Sequence, residues 1–592
     1  MRASENMANA SPIDPPGRLP TRDATASAAM HLALSWWPWL AVVVVVTMTG
    51  WPLVATPDTL FADSLRADNV VTPWFYDLVA RQIPSGFRIE RLSSLNFPLP
   101  LPTRAEFPSA WDAHLFAPLA WLFGWPRQWG AVQLASLWIN GVGTALLARA
   151  MGARGMGIAV AGALAVWSRP VWRDLATGRM NGAIPGLTLA ALGLWLLAIE
   201  RGSSARWAAV GATVAGVFAS LTYPPYVALG IPVGVVLGAA ALRDADWSGR
   251  LRATGIVCMV ALLSWSGLQE IVDAAPLQQV ESCTRLGCPA IGNAVSILDL
   301  FRHADDVERG LGTPGALASS WLLASTALLM TSWKRALPIA LLAGFYAVLS
   351  LGSCPMWDAE REFHLSSLPA SLGSGLQWLS CRLQPVHDYN RLLSMSALLA
   401  AALAGIGVDR IARSSRLGWL AAMVGSALVL QMVCGLLMGE VLLPAQWHKV
   451  TEQTTASHQE RLSAAQQGPM LELPFDRSGQ FLSVLQYPEQ PRANPLREVD
   501  PPPFSNRFWR WAFALGHSRL PSDRPSLAET RASGLRWIYL DVSRCGADPN
   551  GVCRYSLLQE LLAAFGRPTF EEGTTWAWDV HRVTASEALP PP

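Results

Sequence analysis

Apolar residues gather in long runs along this chain, and polar residues gather between them. Eleven runs stand out: Trp36–Ala55, Ala131–Ala150, Met156–Trp167, Ile184–Ile199, Trp207–Thr222, Tyr226–Leu242, Thr254–Leu268, Ala316–Met330, Ala336–Gly352, Leu392–Val408 and Leu417–Met438. A helix crossing hydrocarbon needs about 20 apolar residues. Several runs are shorter and must be completed by their flanks, Met156–Trp167 being the weakest. Backbone exposed to lipid has to satisfy its hydrogen bonds internally, which selects helices for runs of this kind. The pattern predicts an all-α polytopic membrane bundle of about 11 spans.

The loops give this bundle a direction. With the N-terminus inside, the short inner loops carry Arg149 and Arg154, Arg201 and Arg206, Arg243, Arg250 and Arg252, Lys334 and Arg335, and Arg410, Arg413 and Arg416. The tail adds Arg2, Arg18 and Arg22. Every short inner loop then holds at least two positive charges, as the positive-inside rule requires. The long segments fall outside: about 56–130, 168–183, 269–315, 353–391 and everything after 440. The short 168–183 loop is the exception, being outer and arginine-bearing. The expected topology is multi-pass, with the N-terminus inside and the C-terminal part outside.

Cysteine placement agrees with this direction. Cys258 and Cys434 sit in spans, and the other six fall in outer segments as local pairs: Cys283 with Cys288, Cys354 with Cys381, Cys545 with Cys553. Such pairs read as disulfides formed in an oxidising compartment. The net charge of +2 and the scatter of its cations leave no nucleic-acid footprint.

Three regions follow. Residues 1–33 are Pro-, Ala- and Ser-rich and are expected to be a disordered cytoplasmic tail. Residues 34–440 form the membrane body, with its first span retained as an anchor. Residues 441–592 change composition and are expected to form a small α/β extracytoplasmic domain. Within it Gln446–Gln467 is rich in helix formers, and Leu485–Asn506 is Pro-rich and irregular. Met470–Phe475, Leu535–Val542 and Thr574–Val583 read as strands, and Ser556–Phe565 as a helix with one apolar face. This region shows no nucleophile elbow, P-loop, Rossmann fingerprint or zinc spacing.

The first outer loop carries the most chemistry. It holds Asp63, Asp68, Asp77, Glu90, Glu106 and Asp112 among five arginines, with Trp74-Phe75-Tyr76 between them. Loops of this length are usually functional or carry structure of their own. Phe116–Trp125 is too short to span and is expected to lie in the interface or re-enter.

Asp68-Asn-Val-Val-Thr-Pro-Trp74, Leu95-Asn-Phe-Pro98, Trp111-Asp112 and Ala117-Pro-Leu-Ala-Trp-Leu-Phe-Gly124 follow one another in this loop. Asn140-Gly-Val-Gly-Thr-Ala-Leu-Leu-Ala-Arg149 and Ala176-Thr-Gly-Arg-Met-Asn181 come next. His387-Asp-Tyr-Asn-Arg391 then precedes Ala400–Asp409, and Gly468-Pro-Met-Leu-Glu-Leu-Pro474 opens the last region. In this order the segments resemble the bacterial multi-pass proteins of the GT-C glycosyltransferase superfamily. The resemblance covers most of residues 60–590.

The resemblance implies a sugar donor carried on a polyprenyl phosphate and transfer on the outer face, to a glycan, lipid or protein acceptor of the envelope. It implies a hexosyltransferase of GT-C type, with membrane lipid and lipid-linked sugar as partners. The acceptor hydroxyl needs a carboxylate to take its proton. Asp68 is the first candidate, from its place shortly after the first span; Asp63 and Asp112 are the others. Asp112 and His114 could also hold a divalent metal, although no cofactor is required, because arginine alone can receive a departing monophosphate. Arg169, Arg173 and Arg179, helped by Asn181, are the phosphate candidates, since arginine suits bidentate phosphate contacts. His387 and Arg391 approach a later span from the same side, and ionisable groups at membrane depth are commonly functional. Solvated carboxylates and snorkelling arginines are the plain alternatives for each residue.

Tyr223-Pro-Pro-Tyr226 reads as a tight turn whose tyrosines anchor at the interface. Trp74 and Trp111 could stack on a sugar. A transporter or flippase of lipid-linked glycan would need a polar path and internal symmetry, and neither is visible. A non-catalytic envelope-assembly protein of the same fold would scatter these carboxylates.

Overall fold

The computed structural model describes chiefly residues 22–55, 59–61, 68–83, 91–92, 101–102, 111–274, 333–350, 390–414, 447–449, 468–475, 506–542 and 555–583, with short gaps at 125–126, 201–203, 518–520, 522 and 573–574. Asp63, His387 and the six cysteines expected to pair lie outside these residues; Cys258 is a free, exposed thiol.

Among the described residues, five helices are long and apolar enough to cross a membrane: Arg127–Ala150, Ser204–Thr222, Pro224–Asp244, Trp247–Gln269 and Arg391–Arg413. Shorter apolar helices cover Trp36–Thr49, Gly155–Val166, Gly186–Ile199 and Ala336–Leu349. Each coincides with an expected run. The expected runs Ala316–Met330 and Leu417–Met438 fall outside the described residues, save Trp419 and Met423.

In chain order the body comprises α1 (Arg22–Thr49), α2 (Trp51–Ala55), β1 (Thr59–Phe61), α3 (Asp68–Gln82), β2 (Arg91–Leu92), β3 (Leu101–Pro102), α4 (Trp111–Phe123), α5 (Arg127–Ala150), α6 (Gly155–Val166), α7 (Arg169–Ala176), α8 (Gly186–Ile199), α9 (Ser204–Thr222), α10 (Pro224–Asp244), α11 (Trp247–Ala274), α12 (Trp333–Leu349) and α13 (Asn390–Arg413). Helix α1 begins inside the tail expected to be irregular. The 168–183 segment, expected as a loop, folds its first half into α7; Pro170 near the start fixes the backbone for a helix.

Helix α13 is the axis, because every residue of its apolar window is buried. Helix α6 packs against it and against α5, and α8 packs against α5 and α9. Helices α9 and α11 turn large apolar side chains outward: Trp207 is 79% exposed, Leu262 71% and Trp265 62%. Such a surface is costly in water and favourable in hydrocarbon.

One buried amide ties this body together. Asn140 on α5 donates to Ala183 O at 2.6 Å, and its carbonyl accepts from Gly186 N at 2.8 Å. The orphan N–H at the start of α8 is thereby satisfied. Asn140→Leu leaves both backbone groups buried without a partner. We expect a loss on the order of 2 kcal/mol, read as a lower midpoint in denaturant or heat.

The last region contains β5 (Met470–Leu473), α14 (Arg507–Gly516), α15 (Leu527–Ala532), β6 (Trp537–Asp541), α16 (Leu557–Phe565), β7 (Phe570–Glu572) and β8 (Thr575–Asp579). The sheet order is β5-β6-β8-β7, with β5 parallel to β6 and the other pairs antiparallel. Leu471, Leu473, Ile538, Leu540 and Trp578 form its core with Phe508, Trp511, Leu561 and Phe565 from the helices. The Arg524 guanidinium grips Glu560 with two bonds, of 2.9 and 2.7 Å, and Trp511 Nε1 donates to the same carboxylate at 3.0 Å. Burial pushes the Glu560 pKa up, but these donors hold it below the usual glutamate value.

Strand β4 (Trp447–Lys449), within a segment expected to be helical, pairs antiparallel with β1. Hydrogen-bonded strands cannot be separated by a bilayer. The start of the first long loop and the segment after the body therefore lie on one side of the membrane.

Candidate functional site

The first long loop folds onto the bundle through α3 and α4. Trp121 Nε1 donates to Ala80 O at 2.7 Å, clamping the two helices. The Tyr76 ring stacks on Phe116 and meets Trp129 edge-on, with centroids 6.0 and 5.7 Å apart. This packing aims the Tyr76 hydroxyl at the start of α4, where it donates to Asp112 Oδ2 at 2.5 Å.

Asp112 is 6% exposed. Burial drives its pKa from 3.8 up to about 6, against the opposing hydrogen bonds from Tyr76 and the backbone. Burial and the neighbouring Asp112 carboxylate raise Tyr76 well above the usual phenol value, so it remains a donor. Asp77, next to Tyr76, is also raised by burial, although its ion pair with Arg81 at 2.8 Å works the other way. The result is a carboxyl group able to exchange a proton near neutrality.

A second polar centre forms where α7, the turn after it, the α9–α10 corner and α13 meet. Arg391 Nη1 donates to Tyr223 Oη at 2.6 Å, and the guanidinium lies over the Tyr223 ring, 4.6 Å from its centroid. Tyr226 donates to Gly182 O at 2.6 Å. Asp174, 1% exposed, belongs to the same cluster. A Cβ added at Gly182 would lie 2.8 Å from both Arg391 Nε and Asp174 Oδ2. The two centres share one end of the bundle. A Cβ at Gly267 would meet Leu221, which precedes Tyr223 closely in sequence, and would lie 3.3 Å from Trp111 Nε1, beside Asp112.

The candidate residues are distributed around these centres. Asp68 begins α3 and Arg169 begins α7; their side chains lie outside the described set. Arg173 and Arg179 are half-buried on α7 and its turn. Asn181 is half-buried and lines a narrow crevice with Tyr223, Tyr226, Thr188 and Thr222. His114 rests on the Trp111 ring with centroids 4.9 Å apart. Tyr76 is bonded to Asp112. Among the described residues no three His, Cys, Asp or Glu side chains gather as metal ligands.

Two expectations are corrected. Tyr223 and Tyr226 were expected at the membrane interface, yet they are 7% and 2% exposed and hydrogen-bonded inside the cluster. Trp74, a candidate sugar platform, is buried among Phe75 and the core. Asp174 was missed, and so was the partnership of Tyr76 with Asp112. Nothing in one sequence couples residues 36 positions apart.

No family model and no curated protein matches this chain. Solved structures do. The arabinofuranosyltransferase AftD from Mycobacteria, in one cryo-EM class of a mutant, matches with a TM-score of 0.52 at 16% identity, covering 92% of this chain and 41% of its own. ArnT from Cupriavidus metallidurans in the apo state matches with 0.46 at 13%, covering 96% and 100%. The oligosaccharyltransferase AglB from Archaeoglobus fulgidus matches with 0.44 at 12%, covering 89% and 72%. The AftD match carries the fold: over 92% of its length this chain shares the fold of AftD. It spans less than half the length of AftD.

Proposed function

We propose that this chain is a membrane glycosyltransferase of GT-C type. It moves a sugar, of the hexosyl class, from a polyprenyl-phosphate donor to a glycan or lipid acceptor of the bacterial envelope. Transfer takes place on the outer face of the inner membrane. The supporting observation is the buried Asp112, held by Tyr76 and poised near neutral pH at the end of the bundle where the arginine-bearing turn also lies.

In this reading the acceptor oxygen attacks the anomeric carbon and gives its proton to a carboxylate of the first outer loop. The bond from that carbon to the phosphate oxygen breaks, and polyprenyl phosphate departs with the electron pair. Arg173 and Arg179 stabilise the charge that develops there, as fixed cations do at low dielectric. Asp112 is the carboxylate whose surroundings poise it for proton transfer. Asp68, at the N-terminus of α3, is the carboxylate that the superfamily resemblance favours. The steps use the chain's own carboxylates and arginines, with no metal assigned a part.

A transfer assay in membranes, with a labelled panel of polyprenyl-phosphate sugars, separates the two carboxylates. Loss of transfer in Asp112→Asn with activity retained in Asp68→Asn assigns the base to Asp112, and the converse assigns it to Asp68. Full transfer by both folded variants contradicts the proposal.

A further inference from the structure

Arg391 is a cation at the start of a span, which invites a role as phosphate ligand. Its surroundings argue otherwise. One face lies over the Tyr223 ring, and Nη1 is spent on the Tyr223 hydroxyl. Nε and the Asp174 carboxylate each lie 2.8 Å from the place a Cβ on Gly182 would take, and the two charges interact. The side chain is 8% exposed.

The groups around it come from separate pieces of chain. Asp174 is on α7, Gly182 is in the turn after it, Tyr223 and Tyr226 flank the α9–α10 corner, and Arg391 opens α13. The turn is held from several directions. Tyr226 bonds its carbonyl at Gly182, and Arg179 N donates to Asp174 O at 2.9 Å. The turn itself carries Arg179 and Asn181.

We infer that Asp174 and Arg391 form a buried charge pair across Gly182 that fixes the 177–183 turn, and Arg179 with it, against α13, so that Arg391 is a positioning residue rather than a phosphate ligand. A buried guanidinium is tolerated where a carboxylate and hydrogen bonds replace its water. The absence of a side chain at position 182 lets the two charges approach; a methyl there would sit within 2.8 Å of both. For its ligand, this inference rests on the glycosyltransferase reading above.

A double-mutant cycle on the full chain tests it, with undecaprenyl phosphate in detergent micelles as probe and thermal unfolding as a second readout. Because both residues serve one device, Asp174→Asn and Arg391→Gln should each weaken binding about tenfold, and together no more than about tenfold. Gly182→Ala, which alters no charge, should reproduce the loss. Arg179→Gln should add its own loss to that of the pair. The inference is overturned if Arg391→Gln abolishes binding while Asp174→Asn binds normally, or if the two losses multiply. If the unmodified chain binds undecaprenyl phosphate no better than a short alkyl phosphate, the donor reading fails. The unfolding midpoints then decide the pair: non-additive shifts support it, and additive shifts remove it.

Discussion

Asp112→Asn should make the protein more stable above pH 6 while lowering sugar transfer on the order of 100-fold or more. Both effects have one origin. The folded state holds the Asp112 carboxyl at a pKa of about 6 against 3.8 for a free side chain. Between those values the folded chain binds a proton that the unfolded chain has released, so stability falls as pH rises through this window. A shift of this size corresponds to on the order of 3 kcal/mol of favourable contribution, complete below pH 4 and absent above pH 6. An asparagine keeps an acceptor for Tyr76 and never ionises, so the variant escapes the loss. Transfer in the native chain should rise with pH through about 6, as the base form appears. Unfolding midpoints and initial rates between pH 4 and 8 measure both. Asp77 is raised in the same direction, so Asp77→Asn should remove a further part of the stability slope without changing the rate profile.

Gly143→Val should prevent stable folding. A Cβ at Gly143 would stand 1.9 Å from Gly186 O and 2.7 Å from its carbonyl carbon. From the other side, a Cβ at Gly186 would stand 2.3 Å from Asn140 Cα. Backbone has met backbone here, so no side-chain rotation relieves the clash. Small residues permit this approach between membrane helices. Valine must push α5 and α8 apart, breaking the Asn140 bonds as well. We expect a loss above about 4 kcal/mol, seen as failure to accumulate or as aggregation on detergent extraction. Gly255→Ala is the matched control, because nothing lies within 4 Å of the added atom.

What the sequence disclosed follows from the range of its signals. Hydropathy is local, and the helices at Arg127–Ala150, Ser204–Thr222 and Pro224–Asp244 coincide with apolar runs. Strands β6 and β8 were also visible, from their aromatic and β-branched residues. Helix α7 was not, because eight residues with two arginines and an aspartate read as a loop until the bundle buries one face. Asp112 could be picked out at the end of the first outer loop, by the resemblance to the GT-C proteins. Its raised pKa could not, because it depends on Tyr76 arriving from another helix. Arg391 drew attention as a charge at membrane depth, whereas Asp174 was hidden among arginines until the fold placed both against Gly182. The tyrosines of the Tyr223–Tyr226 corner were assigned to lipid because sequence alone gives no sign of Arg391 beneath them. Long-range polar pairing is what sequence reading lacks, and the candidate site is built from it.

The account stands on the first long loop lying across the membrane from the arginine-rich short loops. Single cysteines at Ser64→Cys and Ser203→Cys, in a cysteine-free background, test this with a membrane-impermeant maleimide. The account predicts labelling of Ser64→Cys in intact cells, and of Ser203→Cys only after permeabilisation. The reverse pattern, or equal labelling of both in intact cells, would contradict it.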